Sequence, residues 1–91
     1  MTVTYFTQKN CPTCHAAYNI LQRLRINIDR RDVSPFENPD FAQNFAMLQK
    51  VDNSGKIPVL VVGIEKFVGD KAVTKAEEML REQEEREKPR G

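Results

Sequence analysis

The sequence predicts an α/β domain with the element order βαβαββα, a mixed four-stranded sheet flanked by helices. Three observations predict it. A β-favouring apolar run, Val3–Phe6, is followed directly by a stretch with helical period. A second strand and a second helical stretch repeat that order. The most hydrophobic run, Ile57–Val62, then turns at Gly63-Ile64 into a short strand, which is the pattern of a hairpin. The first strand–helix–strand unit implies a right-handed parallel crossover, and the closing hairpin adds antiparallel strands.

Val3–Phe6 stops at the polar segment Thr7-Gln8-Lys9-Asn10, so it reads as a buried first strand leading into a loop. From Pro12 to Leu24, Ala16, Ala17, Ile20, Leu21 and Leu24 form one apolar stripe of a helix. Asn10 or Cys11 sits near its cap, and Pro12 suits the first turn, where a missing N–H is harmless. Ile26, Ile28 and Val33 mark the second strand, which ends at Ser34-Pro35. Asn38 is the expected N-cap of the second helix, with Pro39 at its first position. Phe41, Phe45 and Leu48 then face inward, and Phe36, Phe41 and Phe45 are read as packing residues rather than a stacking platform. Asp52-Asn53-Ser54-Gly55 is a turn cluster that ends this helix. Ile57–Val62 is a buried central strand, and Lys66–Val68 pairs with it. Gly69-Asp70 breaks the last strand, and a final helix from about Val73 buries Val73, Ala76, Met79 and Leu80. From Arg81 the chain is polar all round, either a solvated helix end or a frayed tail. There is no internal repeat and no linker, so residues 1–91 are read as a single domain.

Composition narrows the function. The 91 residues are 40% hydrophobic and 30% charged, as in ordinary globular proteins, and the formal net charge is +1. So even a balance gives no electrostatic reason to expect nucleic acid or an anionic membrane as a partner. No stretch reaches the roughly 18 apolar residues of a membrane helix. The start, Met1-Thr2-Val3-Thr4-Tyr5-Phe6-Thr7, lacks the basic and apolar regions of a signal peptide, so the expected location is the cytoplasm. The expected oligomeric state is a monomer.

The chain has two cysteines, Cys11 and Cys14, in the run Cys11-Pro12-Thr13-Cys14. They close too short a loop to staple a fold and are better suited to chemistry. Three residues apart on a helix, they share a face, with Cβ atoms roughly 5–6 Å apart. A disulfide needs roughly 3.5–4.5 Å, so a small local adjustment opens or closes the bond. At the helix N-terminus the free N–H groups and the positive end of the dipole stabilise a thiolate on Cys11, and Lys9 adds to this. Cys14 lies one turn in, where burial keeps it a protonated thiol. Cys11 is therefore the expected nucleophile and Cys14 the resolving thiol.

Other readings of the same residues are weaker. With His15 the motif also matches C-x-x-C-H, the haem attachment pattern, but no export signal is present and the strong strand Ile57–Val62 fits a haem shell poorly. Two cysteines and one histidine make too few ligands for a zinc site, and no metal is expected. His15 is read as a helix-surface residue able to tune Cys11. Gly55-Lys56 is not a phosphate loop, because no earlier glycine completes the pattern.

Tyr5-Phe6-Thr7-Gln8-Lys9-Asn10-Cys11-Pro12-Thr13-Cys14 resembles the strand, loop and active-site segment of glutaredoxins, and of the glutaredoxin-like electron donors of ribonucleotide reductase. Ile57-Pro58 resembles that family's cis-proline element, and Phe67-Val68-Gly69-Asp70 its glycine-containing turn. The likeness covers roughly residues 2–80. It implies the thioredoxin fold, a cis bond between Ile57 and Pro58, and an Ile57 backbone turned toward the cysteines to pair with a thiol substrate. It also implies a substrate-binding set of Lys9, Pro12, Thr13, Ile57, Pro58, Gly69 and Asp70 around catalytic Cys11 and Cys14. The expected partner is a disulfide-containing protein, with no tightly bound cofactor and with glutathione as a candidate co-substrate. The sequence departs from glutathione-using members. Gln8 stands where lysine is usual, Thr13 where Tyr or Phe is usual, and Lys56 where threonine is common. The turn reads Gly69-Asp70-Lys71-Ala72-Val73 instead of Gly-Gly-x-Asp-Asp. Lys56, Lys66 and Lys71 are read as surface lysines, with an anionic tripeptide as the alternative. Three functions stay open: a catalyst reducing protein or glutathione mixed disulfides, an electron donor served by a thioredoxin-type reductase, and a non-catalytic module binding a partner or a metal.

Overall fold

The computed structural model describes residues 1–88; Pro89-Arg90-Gly91, the end of the polar tail, lie outside the described residues. Among the described residues the order is β1 (Thr2–Thr7), α1 (Pro12–Leu21), β2 (Asn27–Asp32), α2 (Phe41–Val51), β3 (Val59–Val62), β4 (Glu65–Val68) and α3 (Asp70–Arg86). The strands form one mixed sheet in the order β2-β1-β3-β4. β1 runs parallel to β2, with Tyr5 opposite Arg30, and antiparallel to β3, with Tyr5 opposite Leu60. β3 and β4 form an antiparallel hairpin around Gly63-Ile64. Gly63 has φ 63°, which a two-residue hairpin loop requires at its first central position.

The interior strands β1 and β3 carry the apolar runs, whereas β2, Asn-Ile-Asp-Arg-Arg-Asp, is a polar edge that resists pairing with other chains. Alternation along β1 splits the core. Val3 and Tyr5 join Ala17, Leu21, Leu24, Leu60, Ala72, Ala76 and Met79 under α1 and α3. Phe6 and Val59 join Val33 and Leu48 under α2. The sheet is thus the middle of three layers.

Several boundaries differ from the sequence reading, each for a tertiary reason. α1 stops at Leu21, and Leu24 is reached through two tight turns in which Arg23 and Leu24 donate to Ile20 and Leu21 at 3.0 Å. The Gln83 side chain of α3 holds this corner, accepting from the Arg25 N–H at 2.7 Å and donating to the Arg23 carbonyl at 3.1 Å. α2 starts at Phe41, with Asp40 rather than Asn38 as N-cap. Asn38 stands just outside the helix: its side-chain oxygen accepts the Asp40 N–H at 3.1 Å, while its amide donates to the carbonyls of Asp32 at 2.7 Å and Ser34 at 3.2 Å. α3 begins at Asp70, ahead of Val73, because Gly69 at φ 64° turns the chain directly into the helix. Polar residues beyond Leu80 continue that helix to Arg86. Val73 and Leu80 are half-buried, and Ala16 is exposed. Of the aromatic residues read as core, Phe36 is 80% exposed and Phe45 39%, while Phe41 is half-buried and stacks on Phe45 at 5.3 Å. Phe45, with Phe41 and Leu48, lines a groove on the α2 side, and Phe36 lies in the loop before α2.

Candidate active site

The loop from β1 into α1 sets the first cysteine. Asn10 takes φ 58°, a conformation that asparagine tolerates better than most residues, and reverses the chain. Cys11 follows in an extended conformation, φ −122° and ψ 100°, as the N-cap of α1, with Pro12 as the first helical residue. Its Sγ accepts the Cys14 N–H at 3.2 Å. A cysteine sulfur therefore does here what a serine or aspartate oxygen does at most helix starts. Cys11 and Cys14 are joined in a disulfide with Cα atoms 5.2 Å apart. Cys11 is half-buried, whereas Cys14 has no exposed surface.

Cys14 is fixed from beneath. The Tyr5 hydroxyl, inside the core, donates to the Cys14 carbonyl at 2.6 Å. Burial drives the Tyr5 hydroxyl far above the ordinary tyrosine range, against the smaller opposing pull of Thr7 and the Arg30 charge, so it stays a donor. The Tyr5 ring stacks on Tyr18 at 6.0 Å, and the Arg30 guanidinium lies 5.2 Å over Tyr18.

Beside the disulfide lies an open cleft of about 440 Å³, lined by Thr13, Lys56, Ile57, Val68, Gly69, Asp70 and Lys71. Thr13 enters it from between the cysteines. Ile57 precedes a cis bond to Pro58. The Pro58 ring is buried, and its carbonyl accepts the Gly69 N–H at 2.8 Å, which ties the start of β3 to the start of α3. A second, apolar groove of about 240 Å³ meets the first at Ile57 and is lined also by Gln8, Val33, Pro35, Phe41, Phe45, Leu48 and Gly55.

The fold thus brings Thr13, Ile57, Gly69 and Asp70 together beside Cys11 and Cys14. It keeps Pro58 beneath the cleft as support and leaves Pro12 exposed on the first turn of α1. Lys9 does not line the cleft. Its backbone N–H donates to the Ser34 hydroxyl at 2.8 Å. Its charge acts on Asp32, whose carboxyl burial pushes up but which Ser34, Arg30 and Lys9 together hold below the usual range. Lys66 is likewise elsewhere, 3.0 Å from the Asp52 carboxylate. Lys56, Val68 and Lys71 line the cleft but were not in the sequence-derived binding set. Only the departures at Lys56 and Lys71 pointed to them. Among the described residues, no group of three or more His, Cys, Asp or Glu side chains is arranged to hold a metal ion, and no helix is long and apolar enough to cross a membrane.

A family model described as glutaredoxin matches residues 3–68, a span that includes both cysteines and Ile57-Pro58 and stops just before Gly69. Among solved structures, the chain is similar to the glutaredoxin-like protein NrdH-redoxin from Escherichia coli, described for its thioredoxin-like activity profile. The identity is 19% over 100% of both chains, with a TM-score of 0.60. It is also similar to glutaredoxin 1 from Francisella tularensis, solved with cacodylate, at 20% identity over 88% of this chain and 96% of that one, with a TM-score of 0.58. No curated protein matches the sequence. At these identities the structural likeness speaks to the fold, a thioredoxin-like α/β domain.

Proposed function

The chain belongs to the glutaredoxin family, and from that premise we propose that it is a small thiol–disulfide oxidoreductase that reduces protein disulfides through Cys11 and Cys14. The observation that carries this reading is the asymmetry of the pair. Cys11 sits at the helix N-cap with its sulfur facing an amide donor, and Cys14 is buried behind it. In the reduced protein the Cys14 N–H and the positive end of α1 stabilise a Cys11 thiolate. That thiolate attacks one sulfur of a substrate disulfide. The substrate S–S bond breaks, its other sulfur leaves as a thiolate, and a mixed disulfide on Cys11 remains. Cys14 then loses its proton to solvent and attacks the Cys11 sulfur. The second substrate thiolate leaves, and the Cys11–Cys14 disulfide forms. Two electrons have passed from the protein to the substrate.

The cleft supplies the binding surface. The Ile57 backbone, outside β3, is the expected partner for the backbone beside the substrate half-cystine, and Lys56 and Lys71 favour an anionic group there. Glutathione is one such group. A second reading, an electron donor reduced by a thioredoxin-type reductase, is favoured by Lys71-Ala72 after Gly69-Asp70, which leaves out the second glycine and the acidic pair. The likeness to a redoxin with a thioredoxin-like activity profile supports the same reading. In either case the protein acts as a cytoplasmic monomer without a tightly bound cofactor.

Replacing Cys14 with serine tests the scheme. The variant retains fast Cys11 alkylation near neutral pH but loses reduction of a protein disulfide. Surviving turnover with glutathione would assign the monothiol, glutaredoxin-type route. Complete loss, with the wild type re-reduced by a thioredoxin reductase, would assign the donor. A Cys11 that alkylates no faster than an ordinary thiol would sink both readings.

A further inference from the structure

We infer that Tyr5 is a positioning residue for the resolving step, its buried hydroxyl holding the Cys14 main chain where the second sulfur meets the first. The inference rests on the dithiol reading above and gives a role to a residue that lies outside the Cys11-Pro12-Thr13-Cys14 run and does not line the cleft.

Tyr5 stands on β1, in the interior of the sheet, between Arg30 on β2 and Leu60 on β3. Its ring has no exposed surface, so it cannot drift. From there the hydroxyl reaches the Cys14 carbonyl at 2.6 Å. The other polar group of the Cys14 main chain, its N–H, faces Cys11 Sγ at 3.2 Å. The residue carrying the resolving sulfur is therefore gripped at both ends, once by the nucleophile and once by the sheet.

Packing does not require this hydroxyl. A phenylalanine fills nearly the same space and buries no polar group that needs a partner. Nor does the carbonyl require it, since a carbonyl inside an α-helix receives an amide four residues on and carries a second lone pair. What the hydroxyl adds is direction. When the Cys11–Cys14 bond is open and Cys11 carries a substrate sulfur, the disulfide no longer restrains Cys14. The tie to Tyr5 does not depend on that bond. It keeps the first turn of α1 at a fixed distance from the sheet, so the Cys14 thiolate returns along the same path to the Cys11 sulfur.

Mixing the reduced protein with one equivalent of an aromatic disulfide reagent, whose thiolate is coloured, separates the steps. Cys11 attack releases the first coloured thiolate at a rate that scales with reagent concentration. Cys14 attack releases the second at a rate that does not. In Tyr5→Phe the second phase slows by about 3- to 10-fold, the factor carried by one hydrogen bond, while the first phase is unchanged. Tyr18→Leu removes the stacked ring but keeps the Tyr5 hydroxyl; it lowers the melting temperature without slowing the second phase. An unchanged second phase in Tyr5→Phe overturns the inference. So does a slowing that tracks the loss of melting temperature in both variants, since Tyr5 would then act through stability alone. Release of only one thiolate from the wild type would instead overturn the dithiol reading itself.

Discussion

The two faces of the sheet are closed in different ways. On one, Val3, Tyr5 and Leu60 meet α1 and α3, and the helices contribute Ala17, Leu21, Ala72 and Ala76, each with no exposed surface. Alanines let the helix backbones approach closely at the centre of this face, which is apolar, and a pocket of about 410 Å³ opens only toward its end, at Leu24, Val62 and Met79. On the other, Phe6, Val33 and Val59 find Leu48 of α2 as their buried partner. Much of that closure is polar. The buried Asn44 donates to the Asp32 carbonyl at 3.0 Å and accepts from Arg31 at 3.3 Å, and Asn38 donates to the same carbonyl at 2.7 Å. The chemistry is divided accordingly. Cys14, which must not wander, is tied through Tyr5 to the dense face. The apolar groove that reaches Ile57 opens on the looser face, between Phe41, Phe45 and Leu48.

The largest effect expected from this contrast is on stability. Leu60→Ala removes a side chain with no exposed surface from a layer of fixed strands and small helix residues that cannot collapse into the space. A loss of about 3–5 kcal/mol is expected, read from denaturant midpoints. Leu48→Ala, at 5% exposure on the looser face, is expected at about 2 kcal/mol, because α2 can settle toward the sheet. Equal losses at the two positions would break the contrast.

Next in size is Asn44→Ala. It strips the Asp32 carbonyl of one donor and the Arg31 guanidinium of one acceptor, while Asn38 and Asp29 still serve those groups. A loss of about 1–2 kcal/mol is expected, with little change in Cys11 alkylation. A change below the error of denaturant titration would mean that apolar contact alone holds α2, and that the polar clasp is incidental.

The legible parts of the molecule were those written in local pattern. The hydrophobic run before Gly63 and the change from alternating to helical period specified the sheet and its helices, because buried strands and amphipathic helices have different repeats. Cys11 and Pro12 marked the start of α1 by cap chemistry that a helix needs in any context. The misplaced boundaries depended on distant partners. α1 ends where Gln83 reaches its corner from 58 residues away, and no pattern near Leu21 signals that. Asn38 reads as a cap and its side-chain oxygen does accept the Asp40 N–H, but its amide is tied to Asp32 and Ser34, and the helix itself starts at Phe41. The site divides in the same way. Both cysteines and Ile57-Pro58 are visible as motifs, whereas Lys56 and Lys71 become neighbours of Thr13 only through the fold. Tyr5 opens the segment that carries the family resemblance, but nothing there singled out its hydroxyl, because the role proposed for it depends on where that hydroxyl ends up.

The smallest effect concerns the end of α2, where the looser face is pinned to the hairpin. Asp52 caps the helix, and its carboxylate accepts the Ser54 hydroxyl at 2.5 Å and Lys66 Nζ at 3.0 Å. Lys66 also donates to the Val51 carbonyl at 3.0 Å, so one ammonium joins the helix end to β4. The Ser54 hydroxyl first, and Lys66 after it, hold the Asp52 carboxyl below the ordinary carboxylate range. A carboxyl held low in the fold and ordinary in the unfolded chain stabilises the fold above the unfolded value of roughly 4, and that stability is lost as the pH falls through the lower folded value. Asp52→Asn should therefore melt slightly lower than the wild type at neutral pH, and the gap should close in acid as the pH falls through the lowered folded value of Asp52. Added salt should narrow the neutral-pH gap, because the Lys66 pair is exposed and screened. A gap that persisted unchanged into acid would show that Asp52 holds the helix end by the shape of its hydrogen bonds rather than by charge. The clasp on this face would then be as insensitive to pH as the apolar packing opposite it.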